Sequence, residues 1–364
     1  MPIQDSSSQL EDLRLGRQDI FYLKTDLPVP NELLQGLNAS AEGELIAYLP
    51  RVSKLAAELG FAGTVEPVSS GSFHLIYKLT LTEKPPIVFR ITRSDIMSQD
   101  DGLLLERWVH TWLARKGLAN FVPETFAIGF RKSGAPFDYA IQACARHIGL
   151  RDLGDAVLDE EPAYLLSLGE ALRVVHELEG DKAGLIDCSR NGPGERPVGL
   201  HACWADYLEL RLEEHVRLCH EARLLDSRQS DRILRIFETL LPALGTRPLR
   251  LLHGDPGVSN VFVDPRCRRV VTLLDWEDAL VGDPLFEVAM VSTFQPPRRM
   301  GAFLAGYGLS QPSLDEARLI ALYYLRIALS KTVHRLRFAT PDLPGRIPGH
   351  HRLYHGLAEL ERLL

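Results

Sequence analysis

The feature that most restricts the fold is the stretch 251–284, LLHGDPGVSNVFVDPRCRRVVTLLDWEDALVGDP. Two short apolar runs rich in β-branched residues, 261–263 and 270–274, flank the turn-forming residues Asp264, Pro265, Arg266 and Cys267, so the segment reads as a β-hairpin. Polar residues gather at its open end, with His253, Asp255 and Asn260 before the first strand and Asp275 after the second. Pairing about the middle of the turn sets Asn260 opposite Asp275, two oxygen donors across a hairpin mouth. Each of these residues alone reads equally well as a turn-former or a strand end. Their combination in this order points to chemistry.

Oxygen donors of this kind suit magnesium, which takes few protein ligands beside phosphate oxygens. Asp255 then stands next to the metal pair, where a carboxylate accepts the proton of an attacking hydroxyl. Asn260 lies five residues after Asp255, the interval that phosphoryl-transfer loops use between base and metal-ligating amide.

The segment resembles the catalytic core of the aminoglycoside phosphotransferase and choline kinase superfamily, small-molecule relatives of the protein kinases. His253-Gly254-Asp255 matches the catalytic His-Gly-Asp, Asn260 and Asp275 match the metal ligands, and Gly282-Asp283-Pro284 matches a following Gly-Asp-Pro. Asp283 also reads as the N-cap of the next helix. Only residues 276–281 lie between Asp275 and Gly282, too few for a peptide-docking activation segment, so the expected phosphate acceptor is a small molecule with a hydroxyl. Glu277 is either a carboxylate beside the metal or a solvated loop charge.

Upstream, residues 65–68, then Ser69-Ser70-Gly71-Ser72-Phe73-His74, then 75–81 read as strand, small-residue turn and strand. The resemblance gives Ser70, Gly71, Ser72 and Phe73 the role of covering nucleotide phosphates, although a plain hairpin looks the same. Residues 87–90 form an apolar strand ending in Arg90, where these kinases place a phosphate-contacting lysine. Arginine keeps the charge and can hold phosphate oxygens bidentately. Lys78 reads as a solvated strand residue. A helix is predicted over 101–116, with Leu105, Trp108, Val109, Trp112 and Leu113 on one face and Gly117 ending it. Its Glu106 is the candidate partner of Arg90. Residues 126–130 and 139–143 complete a five-stranded antiparallel sheet, and the resemblance makes Gln142, Ala143 and Cys144 the adenine contacts.

Helical spacing continues over 161–179, where His176 reads as structural, and over 204–225, with Trp204, Leu208, Leu212, Val216 and Cys219 on one stripe. Ser313 and Glu316 form a capping box that opens a helix running to about residue 337. From 296 to 352 lysine and arginine outnumber acids nine to three, a balance that does not favour a polycationic acceptor.

The expected architecture is an α+β, bilobal, protein-kinase-like fold. It comprises an N-terminal helical extension (1–60), a nucleotide-binding lobe (61–143) with a five-stranded antiparallel sheet plus a helix, a hinge (144–150) and a larger, mainly helical lobe (151–364). The resemblance implies an enzyme that uses Mg2+ and moves the γ-phosphate of ATP or GTP to a small-molecule hydroxyl. An antibiotic is the first expectation for the acceptor, with choline, ethanolamine, an amino acid or a sugar as the alternative; a third reading is a non-catalytic nucleotide binder. A net charge of -7 argues against nucleic acid or anionic membrane as a partner. There is no run of membrane-spanning length and no secretory pattern at the start, and five widely spaced cysteines read as reduced thiols, so a cytoplasmic monomer or homodimer is expected.

Overall fold

In the computed structural model, which describes residues 41–70, 74–92, 100–145, 147–187, 195–337 and 348–364, the two periodicities sort into one five-stranded sheet and a mostly helical remainder. Helix α1 (Ala41–Glu58) precedes β1 (Gly63–Ser70), β2 (His74–Leu81) and β3 (Ile87–Thr92). Then come α2 (Asp100–Arg115), β4 (Thr125–Gly129) and β5 (Tyr139–Ala143). The strands pair antiparallel in the order β1-β2-β3-β5-β4, as expected. Period-two alternation turns Leu75, Tyr77 and Leu79 of β2 and Ile87, Phe89 and Ile91 of β3 inward, against Val52, Leu55 and Ala56 of α1. Residues 71–73, and with them Gly71, Ser72 and Phe73, lie outside the described residues.

Helix α2 stops where its sequence says. Gly117 takes a φ of +82°, and the Leu118 amide donates to the Leu113 carbonyl at 2.9 Å. Its apolar face, Leu105, Val109, Trp112 and Leu113, joins a second core shared with the 261–273 hairpin and Trp276. Helix α2 therefore ties the sheet to the larger lobe.

That lobe begins with β6 (Ile148–Gly149), α3 (Gly154–Glu160), α4 (Ala163–Val175), β7 (Ala183–Ile186) and β8 (Gly199–His201). It continues with α5 (Trp204–Glu209), α6 (Leu212–Glu221), α7 (Ser227–Leu240) and β9 (Arg250–Leu252). The hairpin β10 (Val261–Asp264) and β11 (Arg269–Leu273) follows, then β12 (Leu280–Gly282) and α8 (Pro284–Phe294). Helices α9 (Pro297–Tyr307), α10 (Leu314–Arg337) and α11 (Gly349–Leu363) close the chain. Two small sheets, β11-β10-β6 and β8-β7-β12-β9, hold the 253–260 loop from either side.

Three local expectations need correction. The hairpin is one residue out of the predicted register: Val261 pairs with Leu273, and the Leu274 amide donates to the Asn260 carbonyl at 2.8 Å. The strands close at Asp264 and Arg269, and an irregularity between Phe262 and Val263 that passes over Val271 recovers only part of the offset, so Asp275 lies one step beyond the pair, with a left-handed φ of 69°. The helix expected over 161–179 spans only Ala163–Val175, preceded by the separate α3. The helix expected over 204–225 is broken between α5 and α6, although its apolar stripe is buried throughout. At the break Arg211 takes a φ of 53°, and the buried Arg326 donates to the Leu208 and Leu210 carbonyls at 2.7 and 2.6 Å. A guanidinium from α10 thus satisfies the carbonyls that the interrupted helix leaves open.

Asp283 caps α8 as expected, accepting from the Leu285 amide at 3.0 Å. It is also fully buried and accepts from Arg247 Nε at 2.5 Å and from the Tyr323 hydroxyl at 2.7 Å. Truncating one member of a buried charged set strands the others, so Asp283→Ala should lower stability by about 3 kcal/mol. Urea unfolding would show this as a lower midpoint at unchanged slope; an unmoved midpoint would refute it. Among the described residues no helix is long and apolar enough to cross a membrane.

Candidate active site

The loop between β9 and β10 carries the proposed base. Gly254 has a φ of +89°, and a Cβ there would fall 1.9 Å from the Asp278 carbonyl oxygen, so the turn that delivers Asp255 admits only glycine. Asp255 itself is half-buried and lines a cavity. Asn260 Nδ2 donates to the Asp255 backbone oxygen at 2.9 Å and to its Oδ2 at 3.0 Å, coupling the two residues across the loop.

His253 is buried, its ring centred 4.4 Å from that of Trp276. Its Nδ1 accepts the Asp255 amide at 3.2 Å, and burial holds its pKa below the usual histidine range. A neutral, enclosed imidazole therefore fixes the backbone of Asp255 and does not face the cavity.

On the sheet side, Arg90 projects from β3 and is almost fully buried. Nη1 donates to Glu106 Oε2 at 2.9 Å, the predicted pairing, while Nη2 meets Asp275 Oδ1 at 2.6 Å and Glu277 Oε2 at 3.1 Å. Glu277 also contacts His74 Nε2 at 3.1 Å, so it belongs to this charged cluster and is not a solvated loop charge. Burial, only partly offset by Arg90, pushes the Glu106 carboxyl up to about 7. Gln142 is buried and hydrogen-bonds Glu106 through its side chain. The amides of Ala143 and Cys144 donate to the Glu124 and Pro86 carbonyls, so those two donors are already used within the sheet. Lys78 is half-buried on β2 opposite Val88.

The donor set suits a hard divalent cation. Asn260 gives its N–H groups to Asp255 and keeps Oδ1, while Asp275 adds a carboxylate whose side chain is 35% exposed. Three carboxylates about one guanidinium leave an excess of negative charge. These residues fit magnesium by chemistry and by charge.

Two groups escaped sequence reasoning. Glu287 of α8 is fully buried and accepts the His253 and Gly254 amides at 3.0 and 2.7 Å. His176 Nε2 meets the same carboxylate at 2.8 Å, and the Tyr307 hydroxyl meets His176 Nδ1 at 2.7 Å. The available signal was a lone acid inside the apolar run PLFEVAMVSTF. Lys331 of α10 is the other. Its ammonium lies 3.5 Å from the Phe294 ring centroid, and burial draws its pKa down to about 7 against the opposing pull of Asp255. Asp255 is shifted upward by burial, with Lys331 opposing.

A hygromycin-B 4-O-kinase of Escherichia coli is 27% identical over 241 residues, 65% of this chain and 66% of the relative, just under two thirds of the latter's length. Among solved structures, a thermostable mutant of aminoglycoside phosphotransferase APH(4)-Ia, in ternary complex with AMP-PNP and hygromycin B, superposes with a TM-score of 0.61 at 22% identity. That match covers 85% of this chain and 96% of the other. A choline/ethanolamine kinase family protein from Mesorhizobium loti gives 0.57 at 17% identity, covering 89% and 94%. These likenesses carry the fold, the expected kinase-like arrangement of a five-stranded sheet and a larger helical lobe. The sequence pattern of the phosphotransferase enzyme family matches residues 64–320, well over half of the chain. The chain belongs to the phosphotransferase enzyme family.

Proposed function

We infer that the protein transfers the γ-phosphate of ATP or GTP to a hydroxyl of a small molecule, with Asp255 as the base. The observation that carries this reading is the Asn260–Asp255 hydrogen bond of 3.0 Å on a loop flanked by the Arg90–Asp275 pair of 2.6 Å. Base, metal-ligand candidates and phosphate cation are thereby held in one constellation.

Asp255 orients the acceptor hydroxyl and accepts its proton as the oxygen attacks the γ-phosphorus; the bond to the bridging oxygen breaks and the nucleoside diphosphate leaves. Arg90, set by Glu106, steadies the donor phosphates. Asn260 and Asp275 would hold Mg2+, with Glu277 beside them, and the bound ion would neutralise phosphate charge. Phosphoryl transfer depends mostly on such positioning and charge compensation. The nucleotide lies against the sheet of 61–143 in this reading, near the hinge 144–150, and the acceptor meets the lobe 151–364. The four described cysteines, Cys144, Cys203, Cys219 and Cys267, are free thiols, which supports a cytoplasmic setting.

An antibiotic acceptor is supported by the hygromycin-B kinase relative. The cationic lining of the cavity at Asp255 favours the second reading, a kinase for a metabolite that is not a polycation. The test is magnesium-dependent nucleoside diphosphate release with ATP and GTP across hygromycin B, other hydroxylated antibiotics, choline and hydroxylated amino acids. Release stimulated by one acceptor is expected; a chain that neither binds nucleotide nor turns over with any of them is no phosphotransferase.

A further inference from the structure

A cavity of about 650 Å³ opens at Asp255, away from the Arg90 cluster: none of Arg90, Glu106, Gln142 or Asp275 lines it. Among the described residues its charged lining comprises Arg151, Arg298, Arg299, Lys331, Arg335 and Arg352 against Asp155 and Asp255. The chain as a whole carries 41 basic and 48 acidic residues, so this excess is local and runs against the composition.

Part of the excess is structural. Arg299 donates to Asp155 Oδ1 and Asp159 Oδ1, each at 2.7 Å, and Arg298 holds Asp159 Oδ2 at 2.7 Å. Among the described residues, the other charged side chains that line the cavity are four cationic ones and Asp255. Those four come from three separate parts of the fold. Arg151 follows β6, its amide donating to the Val258 carbonyl of the catalytic loop at 3.1 Å. Lys331 and Arg335 lie one turn apart on α10, and Arg352 comes from α11, 6% exposed. Convergence of three guanidiniums that stay charged, joined by a lysine that burial draws down to about 7, creates a positive field where the acceptor hydroxyl must sit.

Resting on the phosphotransfer reading above, we propose that the acceptor of this enzyme carries an anionic group, a carboxylate or a phosphate, which the Arg151, Lys331, Arg335 and Arg352 face of the cavity binds while a hydroxyl reaches Asp255. Cationic side chains pair with carboxylate and phosphate oxygens through charge-assisted hydrogen bonds, and Arg can do so bidentately. A polycationic acceptor would meet like charge at the same positions.

Calorimetric titration of the full chain tests this, with and without Mg2+ and AMP-PNP. The probes are D-gluconate, glycerol 3-phosphate, neutral sorbitol and hygromycin B. At least one anion should bind tenfold or more tightly than both sorbitol and hygromycin B, and which anion does so separates carboxylate from phosphate. Arg151→Glu with Arg335→Glu should weaken that anion by tenfold or more and reverse the order against hygromycin B. Arg151→Gln with Arg335→Gln should fall between, and thermal midpoints of both variants confirm that they are folded. Hygromycin B binding as tightly as the anions, no binding by either anion, or anion binding unchanged in the folded charge-reversed variant would overturn the proposal. Failure to bind AMP-PNP would count against the phosphotransfer reading alone, because the anion preference is read independently of it.

Discussion

Asp255→Asn should lower acceptor-stimulated turnover by about a hundredfold to ten-thousandfold while nucleotide affinity changes little. Asparagine has nearly the same shape and still offers an oxygen to Asn260 Nδ2, which lies 3.0 Å from Asp255 Oδ2 in the native loop. The metal-ligand candidate therefore keeps its orientation. The variant loses the basic carboxylate that takes the hydroxyl proton and the negative charge opposite Lys331. That second loss has a sign. Burial draws Lys331 down to about 7, and Asp255 works against that pull, so the variant's lysine titrates lower still. Diphosphate release and a nucleotide titration on the same preparations separate the two effects. Wild-type turnover in the variant would remove Asp255 from the chemistry, and lost nucleotide binding would mean that the loop had collapsed.

The parts legible in the sequence are those specified by near neighbours. Alternation in 75–81 and 87–91, the glycine stop at Gly117 and the capping box at Ser313 and Glu316 all formed where the local pattern put them. The Arg90–Glu106 pair was also legible, because it joins a strand end to the first turns of the next helix, 16 residues on. What failed depends on residues remote in sequence. The break between α5 and α6 is stabilised by Arg326, 118 residues beyond Leu208, and no periodicity within 204–225 encodes it. His74 meets Glu277 across 203 residues. The one-residue error in the hairpin came from a misplaced centre: the strands close at Asp264 and Arg269, nearer the first strand than the expectation put them, and the irregularity between Phe262 and Val263 makes up only part of that offset. Glu287 has a different signature, a lone charge in an apolar helix, which marks burial with a partner but does not name the partner, whereas Lys331 stands among several other charges of α10 and has no such mark.

Glu287→Ala should cost about 3–5 kcal/mol of stability near pH 7 and disable the catalytic loop, although Glu287 does not line the cavity at Asp255. Removing the carboxylate leaves the His253 and Gly254 amides and His176 Nε2 without their acceptor, all in a fully buried setting. Because those two amides precede Asp255, the turn that presents the base loses its support. The effect depends on pH in a defined direction. Burial alone would raise the Glu287 pKa, but the hydrogen bond from His176, the nearby imidazoles and the Gly254 amide outweigh it and hold it below its ordinary 4.5. A folded-state pKa below the unfolded one gives stability that is fully present above about pH 4.5 and is lost as pH falls through the lower folded value. Urea midpoints of wild type and variant should therefore differ most near neutrality and converge on acidification. Glu287→Gln, which keeps one acceptor oxygen but sets an NH2 group against the remaining donors, should lie between them at pH 7 and lack most of the acid dependence. Equal midpoints for Glu287→Ala and wild type at pH 7 would show that the carboxylate does not hold the loop, and a gap that widened toward pH 4 would reverse the assigned direction of its pKa shift.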